Sequence, residues 1–344
     1  MQTLLNTLYV TSPEAYLKLE NDTVRIEIER EKRLQVPLHH LSGVVCFGHT
    51  MLSPALMHRL AQEGKSLVLL DEAGRFQARL EGPCSGNILL RQAQFTRAQD
   101  AAVCLQLAQA MIAGKIRNAR QVLLRAAREN PDSQERADLE RAAADLAASL
   151  RALAAAQEVE QVRGIEGEAA RQYFACMNLL IKPAMRTQFQ FAGRNRRPPR
   201  DALNALLSFL YSMLMNDCRS ALEAVGLDVQ QGFLHAVRPG RAALALDLME
   251  EFRAVLADRL ALTLINRGQL KGTDFIQREG GAVSLEGDAR RLVVTAYQER
   301  KQEMLQHPVL EQQTAIGLLP MLQARLLARA VRGEALDYVP FLWK

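Results

Sequence analysis

Cysteine is scarce in this chain and widely spaced. Five cysteines, Cys46, Cys84, Cys104, Cys176 and Cys218, are spread over 344 residues, and no two form a CxxC pair. An odd, dispersed set argues against a disulfide framework and against a cysteine zinc site. Long apolar runs are missing too, since nothing reaches the roughly 18 consecutive apolar residues that read as a membrane span. The opening residues, MQTLLNTLYVTSPEAY, lack a basic segment and carry Glu14 early, so no secretory leader is expected. A cytoplasmic protein without membrane contact is the expectation. Aromatic residues make up only 5% of the chain. Acidic residues are outnumbered by basic ones, 38 to 43, for a net charge of +5, which permits a polyanionic partner without requiring one.

What is present is a soluble globular composition, 49% hydrophobic and 24% charged, in a chain long enough for two domains. Up to about residue 80 the pattern is that of strands: Leu4 to Val10, Tyr16 to Glu20, Thr23 to Glu29, Arg33 to Pro37, Gly43 to Phe47, Ser66 to Leu70 and Arg75 to Leu80. Asn21-Asp22 and Glu31-Lys32 stand at hairpin positions, and Ser53 to Glu63 has helical spacing. The segment EGPCSG, Glu81 to Gly86, punctuates the chain, and beyond it the hydrophobic period changes from two to 3.6. The stretches Leu89 to Ala113, Lys115 to Arg128, Asp132 to Glu158, Glu166 to Ile181, Arg200 to Gly226, Ala242 to Ile265, Asp288 to Leu305 and Ala315 to Arg332 all read as amphipathic helices. An α+β protein follows, with a small, mostly antiparallel β domain over residues 1–85 and a larger all-helical domain over residues 86–344.

Three stretches of the helical part carry chemistry. In GFLHAVRPGRAALALDLMEEFR, from Gly232, His235 precedes a Pro-Gly turn, and Asp247 and Glu250 stand three apart, off the apolar stripe of Leu244, Leu248, Met249 and Phe252. Two carboxylates stacked on one side of a helix, with an imidazole folding back across the turn, can bind a divalent cation. The plainer reading is a solvated acidic face. In GIEGEAARQYF, Glu166 is flanked by glycines and is expected to open a helix, where the dipole favours a carboxylate. In FAGRNRRPPRDALNALLSFLY, Arg194, Arg196, Arg197 and Arg200 crowd one loop, in a basic region that begins at Arg186. The planar guanidinium fork suits phosphate.

In chain order, the stretches GIEGEAARQYF, then FAGRNRRPPRDALNALLSFLYSML, then GFLH followed by RAALALDLMEEFR resemble the CRISPR-associated integrase family, the catalytic subunit of the spacer-acquisition complex and the first-numbered Cas protein. GKIRNARQVLLR, from Gly114, and SGVVCFGHTMLSPALMHRLAQEGKSLVLLDEAGRFQARLEG, from Ser42, are similar to the same family, so the likeness covers nearly the whole chain. The length and the closing DYVPFLWK resemble the type I-C branch.

The resemblance implies a catalytic site with a divalent ion, Mg²⁺ or Mn²⁺, held by Glu166, His235 and Glu250. Asp247 matches an additional acid near the site, and either Asp247 or Glu250 supplies the dominant second carboxylate. His235 ligates the ion or moves a proton. Arg186, Arg194, Arg196, Arg197 and Arg200 are the expected DNA-binding residues. The implied activity is metal-dependent DNA cleavage and integration of short spacer precursors into the repeats of a CRISPR array. The implied partners are DNA, a second copy of the chain and a small second adaptation subunit. The alternatives are a structure-specific nuclease of branched DNA that does not integrate, and a non-catalytic helical scaffold for nucleic acid.

Overall fold

In the computed structural model, which describes residues 6–12, 14–72, 74–82, 88–335 and 337–343, the change of hydrophobic period separates two units. One comprises Met1–Ser85 with Leu285–Gln302, the other Gly86–Ser284 with Glu303–Lys344. Leu4 and Leu5 of the first expected strand, and residues 83–86 of the expected boundary segment, lie outside the described residues.

The β-rich unit contains β1 (Asn6–Val10), β2 (Tyr16–Glu20), β3 (Thr23–Ile28), β4 (Glu31–Pro37), β5 (Leu41–Phe47), β6 (Met51–Leu52), α1 (Pro54–Gln62), β7 (Ser66–Leu70) and β8 (Phe76–Leu80). They form two sheets, ordered β1-β5-β7-β8 and β4-β3-β2-β6. Pairing is mixed, not mostly antiparallel: β1 with β5, β5 with β7 and β2 with β6 run parallel. The cause lies in the connections. Between β5 and β7 the chain passes through α1, and a crossover helix returns it in the same direction, whereas a tight turn reverses it. β5, LSGVVCF, is buried at every position but Ser42, as a strand covered on both faces should be. Asn21 and Asp22 turn β2 into β3 with φ of 48° and 53°. The next turn falls at Glu29-Arg30, with φ of 54° and 64°, so the expected turn residues Glu31-Lys32 begin β4 instead. Leu17, Val24, Leu38, Val44, Leu56 and Leu60 make the core.

The second unit is built from α2 (Ile88–Arg97), α3 (Ala101–Glu129), α4 (Ser133–Ala155), α5 (Val159–Ala175), the single turns α6 (Met177–Leu180) and α7 (Pro183–Arg186), α8 (Ala202–Val225), α9 (Ala243–Met249) and α10 (Arg259–Asn266). Two further helices follow, α11 (Gly287–Gln302) and α12 (Leu319–Arg332). Two short ribbons, β9 (Phe275–Gln277) with β10 (Val283–Leu285) and β11 (Met304–Gln306) with β12 (Gln313–Ala315), mean that this part of the chain is not wholly helical. α11, expected in the helical domain, belongs to the first unit. Its Gln298 and Gln302 donate to Thr7 O (3.3 Å) and Asn6 Oδ1 (2.9 Å), and Val293, Val294 and Tyr297 are buried. Among the described residues no helix is long and apolar enough to cross a membrane.

Capping sets the helix limits. Asp100, Asp132 and Asp201 accept hydrogen bonds from the first-turn amides of α3, α4 and α8, which satisfies donors that a helix start otherwise leaves open. The break between α2 and α3 therefore falls at residues 98–100 and not, as expected, at Gly114. Gly114 lies buried inside α3, where a Cβ would come within 2.7 Å of Pro340 Cβ. Close packing of the chain end, not helix termination, requires glycine there.

Candidate active site

After α9 the chain leaves α-helical geometry for several residues. Glu250 N and Phe252 N bond carbonyls three residues back, at 3.3 and 3.0 Å, and a π-helical turn, Arg253–Asp258, precedes α10. Wide turns of this kind recur at functional sites. The stretch expected as one helix from Ala242 to Ile265 is thus broken where its acids cluster. Asp247, Glu250, Glu251 and Asp258 are all buried, none more than 3% exposed, which overturns the solvated-face reading. Each buried carboxylate needs partners, because desolvating an unpaired charge costs more than any packing gain beside it.

Asp247 is consumed by the loop before α9. Its Oδ2 accepts from Phe233 N (2.7 Å) and Leu234 N (3.0 Å), and its Oδ1 from His235 N (2.9 Å) and from the His235 ring at Nδ1 (2.6 Å). A carboxylate can only accept, so Nδ1 carries a proton and the ring is turned with Nε2 away from Asp247. Gly232 allows the approach: a Cβ there would lie 2.7 Å from Asp247 Oδ2. With both oxygens engaged, Asp247 orients His235.

Glu250 faces three cations or potential cations. Arg253 Nη2 lies 3.0 Å from its Oε1, Lys115 Nζ 2.6 Å from its Oε2, and His235 Nε2 4.0 Å from Oε1. Burial opposes its ionisation, but Arg253, Lys115 and His235 outweigh burial and hold the carboxyl down at about 2. Lys115, from α3, also contacts Glu166 Oε1. Glu166 does not open its helix; it sits mid-way along α5, and the helix surface at Gly164 and Gly167 is bare, with nothing within 4 Å of where either Cβ would be. Among the described residues no three His, Cys, Asp or Glu side chains converge as a ready cage for an ion, because the Lys115 ammonium stands between Glu166 and Glu250.

Around this cluster lie residues that the sequence reading missed, together with Glu251, which it groups with His235, Asp247 and Glu250 as a potential metal or proton-transfer group. Arg253 stacks over Tyr211, 4.9 Å from its centroid, and Tyr211 donates to Asp258 at 2.6 Å. Arg163, one turn before Glu166, donates to Leu234 O at 2.6 Å and so joins α5 to the histidine loop. Glu251, next to Glu250, points the other way, toward the chain end: it accepts from Phe341 N (2.7 Å), Gln323 Nε2 (3.0 Å) and the Tyr338 hydroxyl. Asn118, one turn after Lys115 on α3, donates to Glu251 O (2.7 Å) and Phe341 O (2.9 Å) and accepts from Trp343 N (2.8 Å). Burial pushes the Glu251 carboxyl up to about 8 against the pull of its donors. The only signal for Lys115 and Asn118 was their place in GKIRNARQVLLR.

The five arginines expected on DNA divide into two groups. Arg186 is spent on Glu135, with contacts of 2.5 and 2.8 Å that hold Glu135 down at about 2. Arg194 turns inward to Asn204 Oδ1 (2.7 Å) and Ser208 Oγ (3.1 Å) and braces the loop. Arg196, Arg197 and Arg200 are exposed. Arg238 and Arg241, missed by the sequence reading, add to that charge. Burial lowers the pKa of Arg241, and the nearby charges of Arg238, Arg196 and Arg163 lower it further while Asp247 opposes them.

A β-rich unit is thus followed by a mostly helical unit in which the buried Glu250 meets the half-buried Glu166 and His235, with exposed arginines on the preceding loop. The family model described as CRISPR associated protein Cas1 matches residues 8–299, and the chain belongs to that family. A CRISPR-associated endonuclease Cas1 of Moorella thermoacetica is 51% identical over 344 residues, all of both chains. Among solved structures, a casposase bound to integration product matches with a TM-score of 0.83 at 21% identity, over 97% of this chain and 93% of that one. A chain of a partial Cas6-RT-Cas1–Cas2 complex matches with a TM-score of 0.65 at 25% identity, over 99% of each.

Two outcomes follow from the geometry. Asp247→Ala strands three buried amides and lowers stability by about 3 kcal/mol or more, at roughly 1 kcal/mol or above for each, as read from urea denaturation; His235→Ala, which leaves those amides bonded, costs less. Glu251 titrates at about 8 when folded and at about 4.3 when unfolded, so the stability it contributes is complete below the lower value and is lost as pH rises through the upper one. Melting temperatures measured between about pH 5 and about pH 9 should therefore fall, and Glu251→Gln should flatten that fall.

Proposed function

We propose that this chain is a nuclease and integrase of CRISPR adaptation, which joins short DNA fragments to the repeats of an array by phosphodiester strand transfer. Family membership and a full-length relative named as an endonuclease support the nuclease part. The observation that carries the site assignment is the contact of one cation with both Glu166 and Glu250 while His235 Nε2 faces the same carboxylate.

The residues fit a divalent ion. Glu250 Oε2 is buried and is met by the Lys115 ammonium at 2.6 Å, a cation whose place a metal ion could take. His235 Nε2 is available because Asp247 takes the other ring nitrogen. Two carboxylates and one imidazole, without thiolate, suit Mg²⁺ or Mn²⁺. Glu166, His235 and Glu250 would hold the ion, which when bound polarises the phosphodiester and stabilises the leaving oxygen. Water attacks in cleavage and a DNA 3′-hydroxyl in strand transfer.

The protein supplies position and charge. Asp247 fixes the histidine ring, Arg253 fixes the Glu250 carboxylate, and Arg196, Arg197 and Arg200 with Arg238 and Arg241 bind the DNA backbone. Inserting both ends of a duplex requires two transfers, and the chain has one such cluster, so the active form is at least a homodimer. Likeness to a chain of a Cas1–Cas2 assembly supports a small second adaptation subunit as partner. The same reading sets the protein to work in the cytoplasm and, from the likeness of its closing residues, in the type I-C branch. A non-catalytic scaffold would have no use for carboxylates buried at this cost.

Glu166→Ala, His235→Ala and Glu250→Ala should each lower cleavage and joining by about 1000-fold, since a lost ligand removes several kcal/mol of charge stabilisation at about 1.4 kcal/mol per decade. Joined products on supercoiled array plasmid, scored with and without Mn²⁺, measure it; a variant with wild-type turnover removes that residue from the site. In DNA binding, replacing Arg196 and Arg197 together should reduce the slope of log affinity against log salt by about two, while Arg186→Ala leaves it unchanged.

A further inference from the structure

The cation that touches Glu166 and Glu250 in this fold is a side chain, and nothing in the proposed chemistry gives it a task. We propose that Lys115 is an exchangeable counter-cation: its ammonium keeps Glu166 and Glu250 in place before a divalent ion binds, and gives way to the ion when it arrives. This rests on the metal-dependent reading of the same site.

Two anionic carboxylates close enough to share one ammonium repel each other. For Glu250, only 3% exposed, that repulsion is little screened. A site that stood ready for a divalent ion without any resident cation would splay apart or take up a proton. Lys115 removes the difficulty, since its Nζ reaches both acids from α3. Arg253 also neutralises Glu250, but it cannot play the same part. Its guanidinium is fixed on Oε1 at 3.0 Å and against the Tyr211 ring, so it stays whether or not an ion is bound.

Lys115 is held differently. Among the described residues its charged partners are Glu166 and Glu250 alone. The ammonium meets Glu250 Oε2 at 2.6 Å from a four-carbon stem with free rotation about each bond. There is room for movement beside Glu166, whose side chain is 29% exposed. A divalent ion would bring twice the charge to the same two carboxylates and could also take the lone pair of His235 Nε2, a partner that Lys115 does not have. The exchange therefore favours the ion but costs it the ion pairs it displaces, and Lys115 sets the affinity of the site as well as its shape.

The test is Mn²⁺ affinity, read from the electron paramagnetic resonance of free Mn²⁺, together with melting temperature with and without Mn²⁺. The full-length wild type, Lys115→Met and Lys115→Arg are compared. Lys115→Met should bind Mn²⁺ at least tenfold more tightly, melt lower than wild type without the ion, and regain the difference when Mn²⁺ is added. Lys115→Arg, which keeps the charge, should not tighten binding. A purely structural lysine would weaken Mn²⁺ binding or leave it unchanged on substitution, so equal or weaker affinity in Lys115→Met overturns the proposal while the metal reading stands. If the wild type and Lys115→Met both fail to bind Mn²⁺, the metal reading falls and the proposal with it.

Discussion

A single carboxylate gives the histidine loop its shape. Residues 230–242 have no helix or strand to fix them, and a loop of that kind is normally set by many weak contacts. Here Asp247 collects three consecutive amides and the imidazole that follows, so backbone path, ring orientation and ring tautomer are decided together. The acid itself is fixed because it belongs to α9, and α9 packs against α8. A buried acceptor of four hydrogen bonds makes any other arrangement of the loop leave donors without water or partner, which is why one conformation dominates.

From that fixed loop the remaining charges follow in alternation. His235 faces Glu250, Glu250 lies between Arg253 and Lys115, and Lys115 returns to Glu166 on α5. Arg163 closes the circuit by tying α5 back to Leu234 in the histidine loop. Opposite charges meet at Arg253–Glu250, Glu250–Lys115 and Lys115–Glu166. Sites that concentrate acids for catalysis face self-repulsion before any ligand is present, and this arrangement offsets it with side chains from three separate helices.

Much of this was legible in the sequence, for reasons that differ by residue. The fold class could be read because the hydrophobic period changes near residue 80 and holds its new value afterwards. Glu166, His235 and Glu250 stood out because acids and a histidine in glycine-bounded or turn-bounded stretches are recognisable locally. Lys115 and Asn118 were hidden because a lysine and an asparagine in a basic helix look like a solvated face, and only the packing of α3 against distant segments makes them interior. The π-helical turn was hidden as well, since an apolar stripe reads the same whether or not one turn widens. Parallel pairing of β5 with β1 and β7 depends on which strands become neighbours, and strand composition does not encode that. The inward turn of Arg194 depends on Asn204, ten residues away, and runs against the usual expectation that an arginine-rich loop is solvated.

The clasp formed by the last residues bears on the order in which the site is made. Phe341 follows Glu251 by 90 residues and Asn118 by 223, yet its amide and carbonyl satisfy both, and Pro340 fills the space left by Gly114. Translation delivers α3, α5 and the acid turn early and the clasp late. Until residues 338–343 leave the ribosome, Glu251 and Asn118 are short of partners and the acid turn is not held against α3. A nascent chain therefore carries Glu166, His235 and Glu250 before the packing behind the acid turn is complete.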